Sequence, residues 1–512
     1  MAKHPNVLLI HVDQLRQDCL GAYGNSQIST PNIDKLASES TVYTQHYTAY
    51  PICIPSRYSL ITGLPYTELY NSKNLGDNDR LSFNFSTFPE ELKNAGYHTK
   101  AIGKMHYEPP YHDVGFEEMV LCEQIGIGRW VDDYHRYLRA RGLINSNCLE
   151  DQNWEFRQLA DEEYWDNFGA KVNRLDEEHA STGWIGARAL ESIESWDASS
   201  PELLMIGFVK PHHPFDPPAT WANRYDPESL DPLPGWMDYG LLRDSFQSPG
   251  YFENRRLTSA KYRKILAYYY ALISEIDHWV GRIIEGLKQK NLYKNTLIVF
   301  TTDHGDYMGY HNMILKGNHM YEPLMNIPLI IKYPGENPGR ADNGSLSINT
   351  DIAATILSVA GAEIPDQMKD TCDLSSGPEA GYEVVVGYEK HGARGMVRWG
   401  RYKLQTDSVL QRENGFHWGS IVPPRGEMLF DLESDPYEIE DISEAHPDIV
   451  SKMKSFLHEF QDGAEFSGEF IANEFDVPII SAENAQQATR ERVAEGIEYF
   501  LREFKKDRGI SV

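Results

Sequence analysis

The chain has 512 residues, 41% hydrophobic and 24% charged, with a formal net charge of −28. That is globular composition with enough apolar surface for a sizeable core, and no apolar run approaches the length of a membrane span. The negative field serves solubility and excludes nucleic acid and anionic membrane surfaces as expected partners; it would also repel a heavily sulfated polymer, unless the mouth of the site were locally basic.

In the opening MAKHPNVLLIHVD, Val7 to Val12 reads as a buried strand rather than a signal peptide, because no basic leader and long apolar stretch precede Asp13. A cytoplasmic location is therefore expected. Thr30 as N-cap and Pro31 in the first turn start a helix. Phe88 to Ala95 reads as a helix closed by Gly96, leading to a strand at His98 to Ile102 and then GKMH. Val120 to Asp176 is rich in Trp, Tyr, Asp and Arg with weak periodicity, and reads as an irregular insertion over the active site. Glu178 to Trp196 is helical. Leu203 to Val209 is an apolar strand ending in KPHHPFDPP. The longest helix, about Ser259 to Lys290, repeats apolar residues at three- and four-residue steps. Thr296 to Thr302 is a strand ending in DHGD, followed by a strand at Ile327 to Lys332 and a helix near Asp351 to Ala360.

This alternation predicts an α/β fold, a large and mostly parallel sheet sandwiched by helices, over residues 1–380 with the insertion at about 120–176. Short antiparallel strands in YEVVVGY, GMVRWGRYKLQ and EMLFDL, closed by a helix at Asp448 to Phe460, predict a smaller α+β subdomain over 381–463. Residues 464–512 form a C-terminal extension with a second amphipathic helix at roughly Ala485 to Lys506. Its apolar residues Phe466, Phe470, Ile471, Phe475, Val477, Ile479 and Ile480 must be covered, by this chain or by a neighbouring subunit. A homo-oligomer is the expectation.

Asp13, Lys104, His212 and Asp303 each fall just past a predicted strand end. In open α/β sheets, chemistry gathers beyond the carboxyl ends of the strands. Cys19, Cys53, Cys122, Cys148 and Cys372 are too few, too scattered and too odd in number for a disulfide framework, and no CxxC pair suggests zinc. Cys53 is set apart by its neighbours in PICIPSRYSLITG, Pro51 to Gly63. A helix beginning near Pro55 would aim its N-terminal amides at residue 53 and at an anionic substrate.

Cys53, Pro55, Ser56, Arg57, Leu60, Thr62 and Gly63 match the pattern C-x-P-S-R-x-x-L-x-T-G. On these residues the chain resembles the type I sulfatases, members of the alkaline phosphatase-like superfamily. The resemblance covers most of Asn6 to Gly335, with a looser match over Glu427 to Ile442. It implies that a separate maturation enzyme converts Cys53 to Cα-formylglycine. The hydrated aldehyde carries two hydroxyls on one carbon: one attacks sulfur, and deprotonation of the other expels sulfate. A thiol would leave an adduct hydrolysable only at sulfur.

Such a nucleophile needs a divalent ion to lower its pKa. The candidate ligands are Asp13, Gln14, Cys53, Asp303 and His304. Oxygen donors suit calcium, the first expectation, or magnesium, and the imidazole leaves room for manganese. Gln14 stands where sulfatases commonly carry a second acidic residue, a departure that resembles choline sulfatases and phosphonate monoester hydrolases. The resemblance assigns Lys104 and His106 of GKMH to the sulfate oxygens and the hydroxyl beside the metal. Lys316 lies thirteen residues after Asp303, as in iduronate-type sulfatases. Arg57, one turn from Cys53, can neutralise the nucleophile's alkoxide. KPHHPF resembles a segment of iduronate-type sulfatases in which His212 protonates the leaving group. His311 and His319 are weaker candidates, either supporting the site or touching substrate. The aromatic insertion, and Trp399 with Arg394 and Arg398, suit a sugar subsite or else the packing of the small subdomain.

The expected function is hydrolysis of a sulfate monoester on a carbohydrate or other small alcohol. The alternative is a phosphonate monoester or phosphodiester hydrolase of the same superfamily.

Overall fold

Every residue of Asn6–Asp13 is buried, and this strand lies in the middle of the sheet on which the chain is built. The computed structural model describes residues 4–65, 85–124, 127–144, 162–197, 199–244, 252–317, 319–335, 339–341, 344–377, 379–389, 394–406, 426–461 and 482–507. In chain order the strands are β1 (Asn6–Asp13), β2 (Thr41–Tyr43), β3 (His46–Tyr47), β4 (His98–Gly103), β5 (Glu118–Leu121), β6 (Glu202–Pro211), β7 (Thr296–Thr302), β8 (Leu329–Lys332), β9 (Arg340–Ala341) and β10 (Ser347–Ile348). Eight of them form one sheet in the order β5-β4-β6-β1-β7-β8-β2-β9, and β3 pairs with β10. From β5 to β7 the neighbours are parallel. β8 runs antiparallel to both β7 and β2. The fold is thus the expected mostly parallel sheet between helices.

The sheet is covered on both faces, which is why β1 and β7 read as nearly continuous apolar runs. Leu8, Ile10 and Val12 pack with the long helix Ser259–Gln289 and with Ser181–Ser195. Val7 and Leu9 point the other way, into a cluster with residues of the helices Cys53–Thr62, Phe88–Asn94 and Asp351–Ala360. One strand therefore splits its side chains between two helix layers by the two-residue alternation of β structure.

A four-stranded antiparallel sheet follows, β11 (Val384–Glu389), β12 (Arg394–Trp399), β13 (Tyr402–Thr406) and β14 (Glu427–Asp431). The helix Pro447–Gln461 closes it by burying Met453 and Leu457 against Val397, Leu404 and Leu429.

Where it is described, the segment expected to be irregular carries regular elements. Its described parts include the end of β5 and the helices Gly128–Val131, Asp133–Ala140 and Glu162–Asp166. Each is too short to develop a readable helical period. Cys148, with the rest of 145–161, lies outside the described residues.

The tail helix is observed at Arg490–Asp507, shorter at its start than expected, after 3₁₀ turns at Ala482–Asn484 and Gln487–Thr489. Its described part packs on this same chain. Val493 is fully buried, Gly496 fits against Val131 and Ile127, and the Gln486 N–H donates to the Tyr111 carbonyl at 2.9 Å. Phe466, Phe470, Ile471, Phe475, Val477, Ile479 and Ile480 lie outside the described residues.

Replacing Val493 by Asp puts an unpaired carboxylate into this contact, at a cost of about 2 kcal/mol or more. The substituted protein should be cut by protease within 482–507 much faster than the parent. Equal cleavage rates would mean that the helix does not dock there in solution.

Candidate active site

β4, β6, β1 and β7 are consecutive neighbours in the sheet, so their carboxyl ends open side by side across about 15 Å. From them emerge Lys104 and His106, His212, Asp13 and Gln14, and Asp303 and His304. The register depends on a close approach at Gly103, whose φ is +96° and where a Cβ would stand 2.2 Å from the Gly207 oxygen. Only glycine fits there, and it allows the Lys104 N–H to bond Gly207 at 2.8 Å. From the other side, the helix Cys53–Thr62 brings Cys53 in at its first position.

The ligand atoms of Asp13, Cys53, Asp303 and His304 lie within 4.8 Å of one another, all buried. Two carboxylates, an imidazole and a soft or hydroxylic donor fit a divalent cation. Gln14 stands beside them with φ +61°. Its Oε1 accepts from Lys316 Nζ at 2.9 Å and keeps a second lone pair, while its Nε2 donates to Asp306 at 2.5 Å.

Arg57 donates to Asp303 at 3.0 Å, to Asp13 at 3.1 Å and to the Lys104 carbonyl at 2.6 Å. The guanidinium is turned onto the two carboxylates, and Lys316 Nζ lies 3.0 Å from the Cys53 sulfur. Burial and the Asp303 charge push Asp13 up, but Lys104, Arg57 and Lys316 outweigh them and hold it below the usual carboxylate range. Burial likewise works against Asp303, and His304 and Arg57 hold it well below that range. For Cys53, burial and Asp13 raise the thiol, yet Lys104, Lys316 and His304 prevail and lower it.

Lys104 is fully buried, with its ammonium on Asp13 and on the Gln124 amide oxygen. His106 has φ +57°, and its N–H donates to Glu123 at 2.9 Å. Both its ring nitrogens are buried without a hydrogen-bond partner, an arrangement that a bound anion or hydroxyl would complete. His212 Nδ1 lies 2.7 Å from the His213 carbonyl oxygen, and Lys316 Nζ lies 3.0 Å from its Nε2. An ammonium only donates, so Nε2 accepts from Lys316, while Nδ1 has both the His213 carbonyl and, at 2.5 Å, the Gln124 amide nitrogen beside it. Burial, Lys316 and Lys104 hold His212 well below its ordinary value. Lys316 and His212 therefore stand as a contacting pair at this end of the site.

Three supporting residues escape a reading of the sequence. Gln124 bridges Lys104 to the His212–His213 turn, donating to the His213 carbonyl at 3.2 Å. Burial pushes Glu123, the acceptor for His106, up to about 7. Burial pushes Asp306, the partner of Gln14, up to about 6. Asp306 stands inside the DHGD motif, so its spacing could have flagged it. Gln124 and Glu123 stand in no motif and are brought in by β5.

His311 and His319 do not enter this cluster. Both bind Asp244, at 3.0 and 2.9 Å, together with the Tyr321 hydroxyl at 2.9 Å. Asp244 thereby pins both ends of the loop that carries Lys316. Trp399 and Arg398 belong to the small sheet: the indole N–H bonds Glu383 at 3.1 Å, and the guanidinium bonds the Tyr47 hydroxyl at 3.1 Å. Arg394 is buried on the same strand.

A family model described as Sulfatase matches residues 5–362. An arylsulfatase of Clostridium perfringens is 31% identical, over 90% of this chain and 95% of its own. Among solved structures, a phosphonate monoester hydrolase from Silicibacter pomeroyi superposes with a TM-score of 0.68 at 21% identity, over 90% of this chain and 96% of that one. A protein solved in complex with its substrate D-glucosamine-2-N,6-O-disulfate gives 0.66 at 20% identity, over 90% and 98%.

The Asp303→Ala protein, analysed for bound metal after exhaustive dialysis, should hold less than a tenth of the parent's divalent ion. The substitution removes a ligand and leaves Arg57 facing the site without its partner. Retention of a full equivalent would overturn the assignment of these ligands.

Proposed function

We propose that this chain, which belongs to the sulfatase family and is a sulfuric ester hydrolase, removes sulfate from a carbohydrate or another small alcohol with formylglycine at residue 53. The observation that carries this reading is the surroundings of the Cys53 sulfur. It lies 3.0 Å from Lys316 Nζ, 3.3 Å from His304 Nε2 and 3.7 Å from Asp13 Oδ1, in the first turn of a buried helix. In the mature protein that place belongs to a hydroxyl of the hydrated aldehyde, made from Cys53 by a maturation enzyme. The cations that lower the thiol act on such a hydroxyl in the same sense.

A divalent ion, calcium first and manganese or magnesium after it, would be held by Asp13, Asp303, His304 and residue 53 beside Gln14, and when bound supplies Lewis acidity toward the nucleophile and the sulfuryl oxygens. Lys104, His106 and Lys316 offer positive charge and open nitrogens to the anion. Arg57 holds the two carboxylates in place. Lys316 and His212 together hold the proton that a departing alkoxide needs, with the His213 carbonyl and Gln124 fixing the imidazole.

A carbohydrate ester is favoured by the fold shared with the protein solved with a sulfated glucosamine. Gln14 and the likeness to the phosphonate monoester hydrolase favour the second reading, a phosphonate monoester or phosphodiester hydrolase. A panel of sulfated sugars, choline sulfate, nitrophenyl sulfate and phosphonate esters decides between them: the highest kcat/KM should fall on a sulfated sugar, and a clear preference for phosphonate would replace this reading.

Peptide mass spectrometry of active protein should find residue 53 with carbonyl oxygen in place of sulfur, and Cys53→Ala should fold but not turn over. Full activity in that variant would end the mechanism. The His212→Ala protein should lose about 10²–10⁴-fold on alkyl or sugar sulfates and far less on nitrophenyl sulfate, whose leaving group needs little protonation. Equal losses on both would make His212 a sulfate-binding residue instead.

A further inference from the structure

A chain of net charge −28 repels a substrate that carries several sulfates. Such a substrate needs a basic surface to bind. The helices Gly128–Val131, Asp133–Ala140 and Arg490–Asp507 border an open cavity of about 910 Å³, whose lining residues include Arg136, Arg139, Arg492, Trp130, Tyr137 and Tyr499. Arg139 donates to the Trp130 carbonyl at 2.8 Å, and the Trp130 and Tyr499 rings pack with centres 4.3 Å apart. That volume is in the range of small-molecule sites.

Two carboxylates, Asp133 and Glu495, also line it. Asp133 is already occupied, accepting from the Tyr111 hydroxyl at 2.7 Å and the Leu121 N–H at 2.9 Å through one oxygen, with Arg492 at 3.6 Å from the other. Arg492 Nε is buried with no hydrogen-bond partner. Burial lowers Arg139, Asp132 opposes that, and the like charge of Arg136 adds to it. Two more arginines stand over the rings, Arg141 at 3.9 Å from the centre of Tyr137 and Arg502 at 4.9 Å from that of Tyr499. The cavity is thus a basic, aromatic patch on an acidic protein.

Its position ties it to the active site. Leu121, which binds Asp133, pairs with Gly103, the residue before Lys104. Asp132, the cap of Asp133–Ala140, accepts the Glu123 N–H at 2.7 Å, and Glu123 in turn holds the His106 N–H. Gln124, next along, holds Lys104. The wall of the cavity and the pair assigned to the sulfate are therefore built on the same four residues, 121–124.

We infer that this cavity is a subsite for a further anionic sugar residue of the same carbohydrate chain whose sulfate ester lies at residue 53. Planar guanidinium groups bind sulfate or carboxylate through paired N–H donors. Aromatic side chains lining such a site add apolar contact for a sugar and carry a polar edge toward water. The inference rests on the carbohydrate reading above and adds to it that the substrate is an oligosaccharide or longer.

The test uses full-length Cys53→Ala protein, which binds without turnover, titrated calorimetrically with a sulfated oligosaccharide, its monosaccharide sulfate and inorganic sulfate. Arg136→Ala and Arg139→Gln, placed separately in that background, should each weaken oligosaccharide binding about ten-fold, the size of one charge-assisted contact. Neither should change binding of the monosaccharide, and in otherwise wild-type protein neither should change kcat/KM on nitrophenyl sulfate. Arg136 is exposed, so its removal leaves the fold intact. Unchanged oligosaccharide affinity, or an equal loss on the monosaccharide, would overturn the subsite. So would inorganic sulfate binding as tightly as the oligosaccharide, since that describes a plain anion site. Arginine-dependent oligosaccharide binding by a protein whose wild type hydrolyses no sulfated sugar would uphold the subsite and remove the ester reading.

Discussion

The ion cluster of Arg57 and Lys104 with Asp13 and Asp303 is the constraint on which the rest of the molecule depends. All four side chains are fully buried. Two carboxylates held this close would not both stay ionised in a protein interior, and breaking a buried pair typically costs about 3–5 kcal/mol. The guanidinium solves the problem by reaching both carboxylates and a backbone carbonyl at once, a geometry that suits arginine and not lysine. Because Arg57 is on the helix of Cys53, the cluster also sets the position of residue 53 relative to the sheet.

That position is then shared among elements far apart in sequence. The neighbouring ends of β4, β6, β1 and β7 supply one side, and the Cys53 helix supplies the other. The Ser56 hydroxyl donates to the Asp303 carbonyl at 2.7 Å, and Asn349 donates to that hydroxyl at 3.0 Å. Lys316 arrives on a loop and needs separate support, which Asp244 gives through His311, His319 and Tyr321. Arg243, its neighbour, donates to the Ile439 carbonyl at 2.8 Å and so ties this support to the segment after β14.

The charge of the chain takes on a more specific meaning once the cavities are located. An acidic exterior suits solubility, while the cations that matter are withdrawn into two places. One is the cluster at residue 53, where they balance carboxylates. The other is the arginine and aromatic cavity beside β5, where among the described lining residues guanidinium groups outnumber free carboxylates. A sulfated chain would be repelled over most of the surface and held only where both places can be reached together.

The sequence by itself determined the mostly parallel sheet, the positions of its main strands along the chain and the residues that crowd around Cys53. Buried strands leave unbroken apolar runs, and strand ends in such sheets carry the polar residues of a site, so Asp13, Lys104, His212 and Asp303 announce themselves by position. The pattern around Cys53 is dense enough to be read without a fold. What only the tertiary structure decided is how those groups are paired. Arg57 lies one turn from Cys53 in sequence, yet it bonds Asp13 and Asp303, because a long side chain buried in the core goes to the strongest uncompensated charge within reach. Gln124 and Asp244 sit in no motif and carry no periodic signal; β5 and the contacts around Tyr321 bring them in across 20 and 72 residues from Lys104 and Lys316. By sequence Trp399 and Arg398 suit either a sugar or the packing of the small subdomain, and the structure gives them the second place. Trp130, Tyr137 and Arg136 read as part of an irregular insertion. Short helices hide their period, and only packing against the tail helix reveals which aromatic and cationic groups face a common space.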